Sequence, residues 1–218
     1  SFSFYPGSGY DFYVSDNYAV YGYNLGDTTV TKLMSYVDSD IDVWQINNII
    51  PISDTEFYGS YSSASDWQDG VSKFTKVDPK DVKERQVITL AMASTDWTVK
   101  SRVIEFNKKN DTYRISLIDY SSESGEYEEG ISRMNTDIVS GKVPDIILLD
   151  DSMPTDSYIS KGLFADLLPI IEKDEEIDRN DLMPNVMEAF SRDGKLYRLI
   201  PSYSIRTIVA KTSDVGEE

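Results

Sequence analysis

The sequence QVITLAMA, residues 86–93, is a continuous and mostly apolar run. Such a run is typical of a strand that is buried on both faces of a parallel sheet. The Ser-Thr-Asp sequence at 94–96 supplies residues that commonly cap helix N-termini. Val99, Val103 and Phe106 follow at spacings of four and three, which place them on one face of an amphipathic helix ending near residue 110. The segment therefore predicts a strand followed by a helix that packs on it.

The same alternation continues to residue 149. Segments 113–120 (YRISLIDY) and 145–149 (DIILL) are predicted to be strands, and a second amphipathic helix lies between them. The apolar positions of that helix repeat at intervals of four, three and four residues: Tyr127, Ile131, Met134 and Ile138. Strand–helix–strand units with short connections imply right-handed crossovers and a mainly parallel sheet.

Beyond residue 150 the patterns are shorter. They predict two helices, a turn and two strands, at 158–173, 181–190, 192–195, 196–200 and 204–211. We therefore expect residues 86–218 to form an α/β lobe with a mainly parallel sheet. Residues 79–85 are expected to link this lobe to the preceding region.

Residues 1–78 have a different character, since nine of the fifteen tyrosines fall between Tyr5 and Tyr61. Six segments rich in Tyr, Val, Ile, Thr and Phe predict short antiparallel strands: 10–14, 18–24, 28–36, 46–52, 56–61 and 71–77. Val-Ser-Asp at 14–16 and Ile-Ser-Asp at 52–54 lie 38 residues apart, close to the repeat of one propeller blade. Propeller-like blades and a small β-meander are both open for this all-β region.

Composition excludes several classes of function. The formal net charge of −17 disfavours nucleic acid and anionic membranes as partners. The chain has no cysteine and no histidine, which removes thiolate zinc sites, cysteine nucleophiles and Ser-His-Asp triads. No apolar run is long enough to span a membrane.

Four motifs after residue 139 resemble those of the cluster 1 solute-binding proteins, which serve sugar importers of the ABC type. They occur in the family's order: SGKVPDI at 140–146, KGLFADLLP at 161–169, Asp181 with Pro184, and RDGKLYRLIP at 192–201. The resemblance covers roughly residues 86–211. It departs at 209–211, where Val-Ala-Lys replaces the family's usual Tyr-Asn-Lys.

The resemblance implies the first lobe of a periplasmic-binding-protein-like fold, with the second lobe beyond Glu218. It implies a receptor that captures an extracellular solute, with an oligosaccharide favoured, by closing two lobes over it. The expected partners are this small-molecule solute and the membrane subunits of an ABC importer. The expected location is the cell surface of a Gram-positive bacterium, through a lipid anchor outside this sequence. Neither catalysis nor a cofactor is expected.

Ligands of open parallel sheets bind at the carboxyl ends of the strands. Combined with the resemblance, this rule gives six candidate ligand-binding residues: Ser94, Trp97, Asp150, Asp151, Ser202 and Tyr203. An aromatic ring beside carboxylates and hydroxyls suits a sugar, whose C–H face packs on the ring while the acids accept its hydroxyl protons. Structural roles are the alternatives, because Trp97 could pack on the sheet, Asp151 could cap the next helix and Tyr203 could pack in the hinge.

The acidic series Asp38, Asp40 and Asp42 resembles the start of an EF-hand calcium loop. That loop needs glycine at its sixth place and glutamate at its twelfth. Val43 and Ile49 occupy those places, so no metal site is predicted.

Two other function classes compete with solute capture. A glycoside hydrolase could use paired carboxylates without histidine. Asp150 and Asp151 are adjacent, however, and adjacent side chains on an extended chain point to opposite sides. The other alternative is a cell-surface scaffold whose tyrosine-rich β region binds a protein or glycan.

Overall fold

The computed structural model describes residues 2–6, 8–62, 69–121, 127–177 and 182–200. The chain divides near residue 151 into two compact units. Within the described ranges, every helix is too short or too polar to traverse a lipid bilayer.

The first unit begins with a four-stranded antiparallel sheet. Its strands follow one another in consecutive order: β1 (Ser3–Pro6), β2 (Phe12–Ser15), β3 (Ala19–Tyr23) and β4 (Thr31–Ser35). The 3-10 turn Val43–Gln45 connects it to a second antiparallel sheet. That sheet comprises β5 (Ile46–Pro51), β6 (Glu56–Ser62) and β7 (Asp69–Thr75), again in consecutive order.

A single apolar cluster joins these two sheets. Its buried members come from both sheets and from the segment between them: Val20, Tyr36, Ile41, Ile49 and Phe57. All six segments predicted in this region contain strands, and β1 is an additional one. Both sheets are simple meanders, and a repeated four-stranded blade is not observed among the described residues because the second sheet has three strands.

A small parallel sheet follows the 3-10 turn Pro79–Asp81. Its central strand is β8 (Gln86–Met92), flanked by β9 (Tyr113–Asp119) and β10 (Ile146–Leu148). Helix α1 (Trp97–Lys109) connects β8 to β9, and α2 (Tyr127–Val139) lies between β9 and β10. Asp96 caps α1 by accepting the backbone N–H of Val99 at 3.0 Å, as the sequence predicts.

The second unit contains only short elements in its described part. They are α3 (Thr155–Ser160), α4 (Leu168–Ile171), α5 (Pro184–Phe190) and a hairpin formed by β11 (Ser191–Arg192) and β12 (Lys195–Leu196). The Asp166 carboxylate accepts the backbone N–H groups of Leu168 and Leu196, both at 3.1 Å, and so ties the start of α4 to the hairpin.

The expected α/β lobe with a mainly parallel sheet, like the first lobe of a periplasmic binding protein, is wrong. Among the described residues three strands form the parallel sheet, whereas seven belong to the two antiparallel sheets and two to the hairpin. The three parallel strands themselves lie where the sequence places them. The described chain adds no fourth parallel strand to them.

Local breaks explain the difference after residue 150. The predicted helix 158–173 is two short helices, because Gly162 adopts a φ of +70° just after α3 and Pro169 lies in the first turn of α4. The predicted strand 196–200 pairs only at its first residue. The predicted strand 204–211 lies outside the described residues.

Helix α1 buries a face that differs by about one position from the predicted one. Its buried residues are Lys100, Val103, Ile104 and Asn107. Two of these four, Lys100 and Asn107, are polar, and both bond residues of β9. The Asn107 amide donates to the Ile115 carbonyl at 3.0 Å and accepts the Ile115 N–H at 2.8 Å. The apolar periodicity of the sequence therefore identified only part of the face that α1 buries.

Gly130 lets helix α2 approach β8 closely. A Cβ atom at this position would lie 2.1 Å from the carbonyl oxygen of Ala93.

Helix propensity alone would make Gly130→Ala stabilising by about 1 kcal/mol. We expect instead a loss of about 1–3 kcal/mol in the free energy of unfolding, since the backbone must move apart. Urea denaturation measures it, with the exposed Ser132→Ala on the same helix as control. A Gly130→Ala protein as stable as the parent would contradict this packing.

Candidate functional site

A cleft of about 420 Å³ lies within the first unit, between the first antiparallel sheet and helix α1. Tyr18 and Tyr36 line it on the side of the sheet, and Trp97 and Lys100 line it on the side of the helix. Asp119, the last residue of β9, lies at its base. Its volume falls in the range of roughly 300–1,000 Å³ that is typical of small-molecule sites.

Trp97 is the centre of an aromatic cluster at this cleft. Its ring lies 5.6 Å from the Tyr18 ring and 5.7 Å from the Trp44 ring, measured between centroids. The Trp44 and Trp97 rings are nearly perpendicular, at 84°. Trp44 is 69% exposed and Tyr18 is 37% exposed, so both rings present apolar surface to solvent.

An aspartate fixes the backbone beside each of these aromatic residues. Asp16 accepts the backbone N–H of Tyr18 at 2.7 Å, and Asp42 accepts that of Trp44 at 3.0 Å. Trp97 directly follows Asp96, the N-cap of α1. Such aspartate-to-backbone hydrogen bonds rigidify turns and helix starts. The rings are therefore held on short, ordered turns.

A buried ion pair forms the base of the cleft. The Lys100 Nζ atom lies 2.9 Å from Asp119 Oδ2, and each side chain is only 8% exposed. The Thr95 hydroxyl donates to Asp119 Oδ2 at 2.6 Å, and the Ser121 hydroxyl donates to Oδ1 at 2.9 Å. Burial raises the pKa of Asp119, but the hydrogen bonds from Thr95 and Lys100 and the lysine charge outweigh it and leave this pKa below its usual range.

Lys100 also contacts the aromatic cluster. Its Nζ atom lies 4.7 Å from the centre of the Tyr18 ring and 4.8 Å from that of Trp97. Both distances are within the range of cation–π attraction. One ammonium group thus links the helix to β9 and to the N-terminal sheet.

The acidic series 38–42 has structural partners. Arg114 of β9 pairs with the Asp40 carboxylate at 2.8 Å and donates to the carbonyl of Asp38 at 2.7 Å. Asp42 caps the 3-10 turn Val43–Gln45 by accepting the backbone N–H of Trp44. Within the described ranges, no three acidic, cysteine or histidine side chains are grouped to hold a metal ion.

The structure brings only one of the six predicted ligand residues to this cleft. Trp97 lines it, whereas Ser94, Asp150 and Asp151 do not. Asp150 and Asp151 are exposed after β10. Ser202 and Tyr203 lie outside the described residues. The loops at the carboxyl ends of β8 and β9 do converge, but their Thr95 and Ser121 hydroxyls bond Asp119.

Four residues were missed from the sequence: Tyr18, Lys100 and Asp119 in the cleft, and Trp44 in the aromatic cluster beside it. Asp-x-Tyr at 16–18 and Asp-x-Trp at 42–44 are turn signals with an aromatic residue two places on, and this repeated spacing could have identified two of them. Lys100 and Asp119 have no comparable signal, because a lysine on a helix is ordinarily solvent-exposed.

No family model matches this chain, and no curated protein or solved structure shows significant similarity to it. The resemblance to solute-binding proteins therefore rests on the four sequence motifs alone.

The ion pair gives this unit a defined dependence on pH. Because the pKa of Asp119 is lowered in the folded state, its stabilising contribution is complete above the unfolded value of about 4. It is lost as the pH falls through the lower folded value. Asp119→Asn should therefore flatten the acid side of the stability–pH curve. It should also lower the free energy of unfolding at pH 7 by about 3–5 kcal/mol, since Lys100 stays buried without its counter-charge.

Chemical denaturation at several pH values measures both effects. Glu105→Gln is the matched control, because Glu105 lies on the same helix in exposed pairs with Arg102 and Lys109. Its removal should change stability little. An Asp119→Asn curve parallel to that of the parent would rule out the proposed contribution of the pair.

Proposed function

We propose that this protein is a non-enzymatic binding protein that captures a carbohydrate in the cleft beside Trp97. One observation carries the proposal: the Trp97 ring and the partly exposed Tyr18 ring lie next to each other in the lining of a ligand-sized cleft. Tyrosine and tryptophan rings offer flat apolar faces to the C–H groups of a sugar ring. They cost little conformational entropy on binding because turns already hold them.

The polar lining supports a ligand rich in hydroxyl groups. Asp16, Asp38 and Asp42 line the cleft together with the aromatic residues. Carboxylates accept hydroxyl protons in strong, charge-assisted hydrogen bonds. An anionic ligand is disfavoured by the net charge of −17 and because four aspartates line the cleft against two lysines, Lys32 and Lys100, of which Asp119 neutralises Lys100.

Solute import is the physiological role proposed for this binding. The four sequence motifs favour an extracellular receptor that delivers its solute to an ABC importer and is anchored by a lipid. This setting is part of the proposal and rests on sequence alone. Two-lobe closure is not part of it, because the α/β lobe expected to close is not observed.

The chemistry of the cleft favours binding over hydrolysis. A glycoside hydrolase needs a carboxylic acid whose pKa is raised so that it can protonate the leaving group. The buried carboxyl group of this cleft, Asp119, instead has a lowered pKa, since its hydrogen bonds and the Lys100 charge outweigh its burial. It is suited to remain ionised and structural.

Binding by this cleft predicts ligand-induced thermal stabilisation that requires Trp97. The panel would contain glucose, galactose, mannose, xylose and N-acetylglucosamine, with maltose, cellobiose, xylobiose and chitobiose. A sugar at about 100 times its dissociation constant should add roughly 2.7 kcal/mol, which raises the melting temperature by about 5 °C or more for a chain of this size. Trp97→Ala should abolish the shift, and Trp97→Phe, which keeps an aromatic face, should retain part of it.

Tyr58→Ala is the control, because Tyr58 is an exposed aromatic residue outside the cleft. It should leave the shift unchanged. Stabilisation by a sugar that persists fully in Trp97→Ala would place binding elsewhere. Absence of stabilisation by every sugar would reject carbohydrate capture, and release of free sugar from the disaccharides would reject the non-enzymatic assignment.

A further inference from the structure

The cleft does not end at Trp97. A second cavity of about 290 Å³ adjoins it, since five residues line both: Asp16, Asn17, Tyr36, Val43 and Trp97. Trp44 lines the second cavity but not the first, and Tyr18 lines the first but not the second. The two cavities therefore share the Trp97 ring, with the buried Tyr36 beneath both, and each has a partly exposed aromatic ring of its own.

We infer that the ligand is a chain of at least two neutral sugar rings. One ring occupies the cleft between Tyr18 and Trp97, and the next occupies the second cavity against Trp44. This inference deepens the proposed function and rests on it. It assigns a second subsite to Trp44, Asn47 and Asn48, none of which is among the six ligand residues predicted from the sequence.

The ring geometry supports two separate platforms. Trp44 and Trp97 meet edge to face, at 84° and a centroid separation of 5.7 Å. Their faces thus point in different directions, and one sugar ring cannot stack on both. Trp44 is 69% exposed, which leaves one large apolar face to cover. Binding energy concentrates on such tryptophan surfaces when a partner desolvates them.

A β-bulge supplies the polar side of the second subsite. The pairing of β5 with β6 shifts register between Ile46 and Asn48, which leaves Asn47 as the inserted residue. Neighbouring residues of a regular strand point to opposite faces. The bulge changes the direction of one of them, so that Asn47 and Asn48 both line the second cavity.

The two amides are held in place and keep complementary groups for a ligand. Asn47 Nδ2 donates to the Ser62 hydroxyl at 2.7 Å, and the Tyr5 hydroxyl donates to Asn48 Oδ1. Among the described residues, Asn47 Oδ1 and Asn48 Nδ2 have no hydrogen-bond partner. One acceptor and one donor suit a sugar hydroxyl, which both donates and accepts.

The charge of the second cavity favours a neutral ring. Asp16 is the only charged residue among those lining it. Its Oδ1 atom already accepts the backbone N–H groups of Tyr18 and Ala19, each at 2.7 Å. A phosphate, sulfate or uronic acid would have no cationic partner there.

Calorimetric titration with sugars of increasing length tests the second subsite. The probes are glucose with maltose and maltotetraose, and glucose with cellobiose and cellotetraose. The parent protein should bind the dimer or tetramer of one series at least about 10-fold more tightly than the monomer, as expected when a second contact becomes intramolecular. Trp44→Ala should remove this gain, so that the oligomer binds no more tightly than the monomer. Trp97→Ala should weaken monomer and oligomer alike, and Tyr58→Ala should change neither.

The outcomes separate the two proposals. Monomer binding that depends on Trp97 but does not strengthen with chain length would overturn the second subsite and leave the proposed function standing. Equal losses for monomer and oligomer in Trp44→Ala would overturn it as well. No binding of any probe by the correctly folded parent protein would reject both, and folding of each variant is checked by its circular dichroism spectrum.

Discussion

The buried pair of Lys100 and Asp119 is the contact on which the first unit depends. Two charges with 8% exposed side chains are costly to desolvate, and the cost is offset only if every polar atom finds a partner. Thr95 and Ser121 supply those partners from the ends of neighbouring segments. The same ammonium group lies against Tyr18 and Trp97, so the orientation of α1 and the position of its first aromatic residue are fixed together.

Polar contacts also attach the N-terminal sheets to the parallel sheet. Arg114 extends from β9 to the segment around Asp40, while the apolar cluster is formed by residues of the two antiparallel sheets and the segment between them. Specific hydrogen bonds impose geometry more sharply than apolar contact alone. A cleft between two such layers can therefore keep a fixed width while its aromatic walls stay partly exposed.

Local sequence patterns were sufficient to predict individual helices and strands. The six N-terminal segments, the Asp96 cap and the β8–α1–β9 succession follow from periodicity and capping, which act over a few residues. The number of strands in the parallel sheet does not follow from local patterns, because it depends on which distant strands pair with β9 and β10. Lys100 was equally hidden, since a lysine at a buried helical position becomes favourable only when a distant carboxylate meets it. Sequence motifs shared with solute-binding proteins could not replace that long-range information.

In the candidate site, too, local features could be predicted from the sequence and long-range contacts could not. Hydroxyl groups do converge at the carboxyl ends of β8 and β9, but those of Thr95 and Ser121 bond Asp119 and so stabilise the fold. Trp97 stands one position beyond its cap and turns toward the N-terminal sheet, where Tyr18 and Trp44 had given only turn signals. In this site the polar groups that stabilise the fold are buried, and the aromatic rings are partly exposed. The buried charges define where the rings stand, and the rings remain available to a ligand.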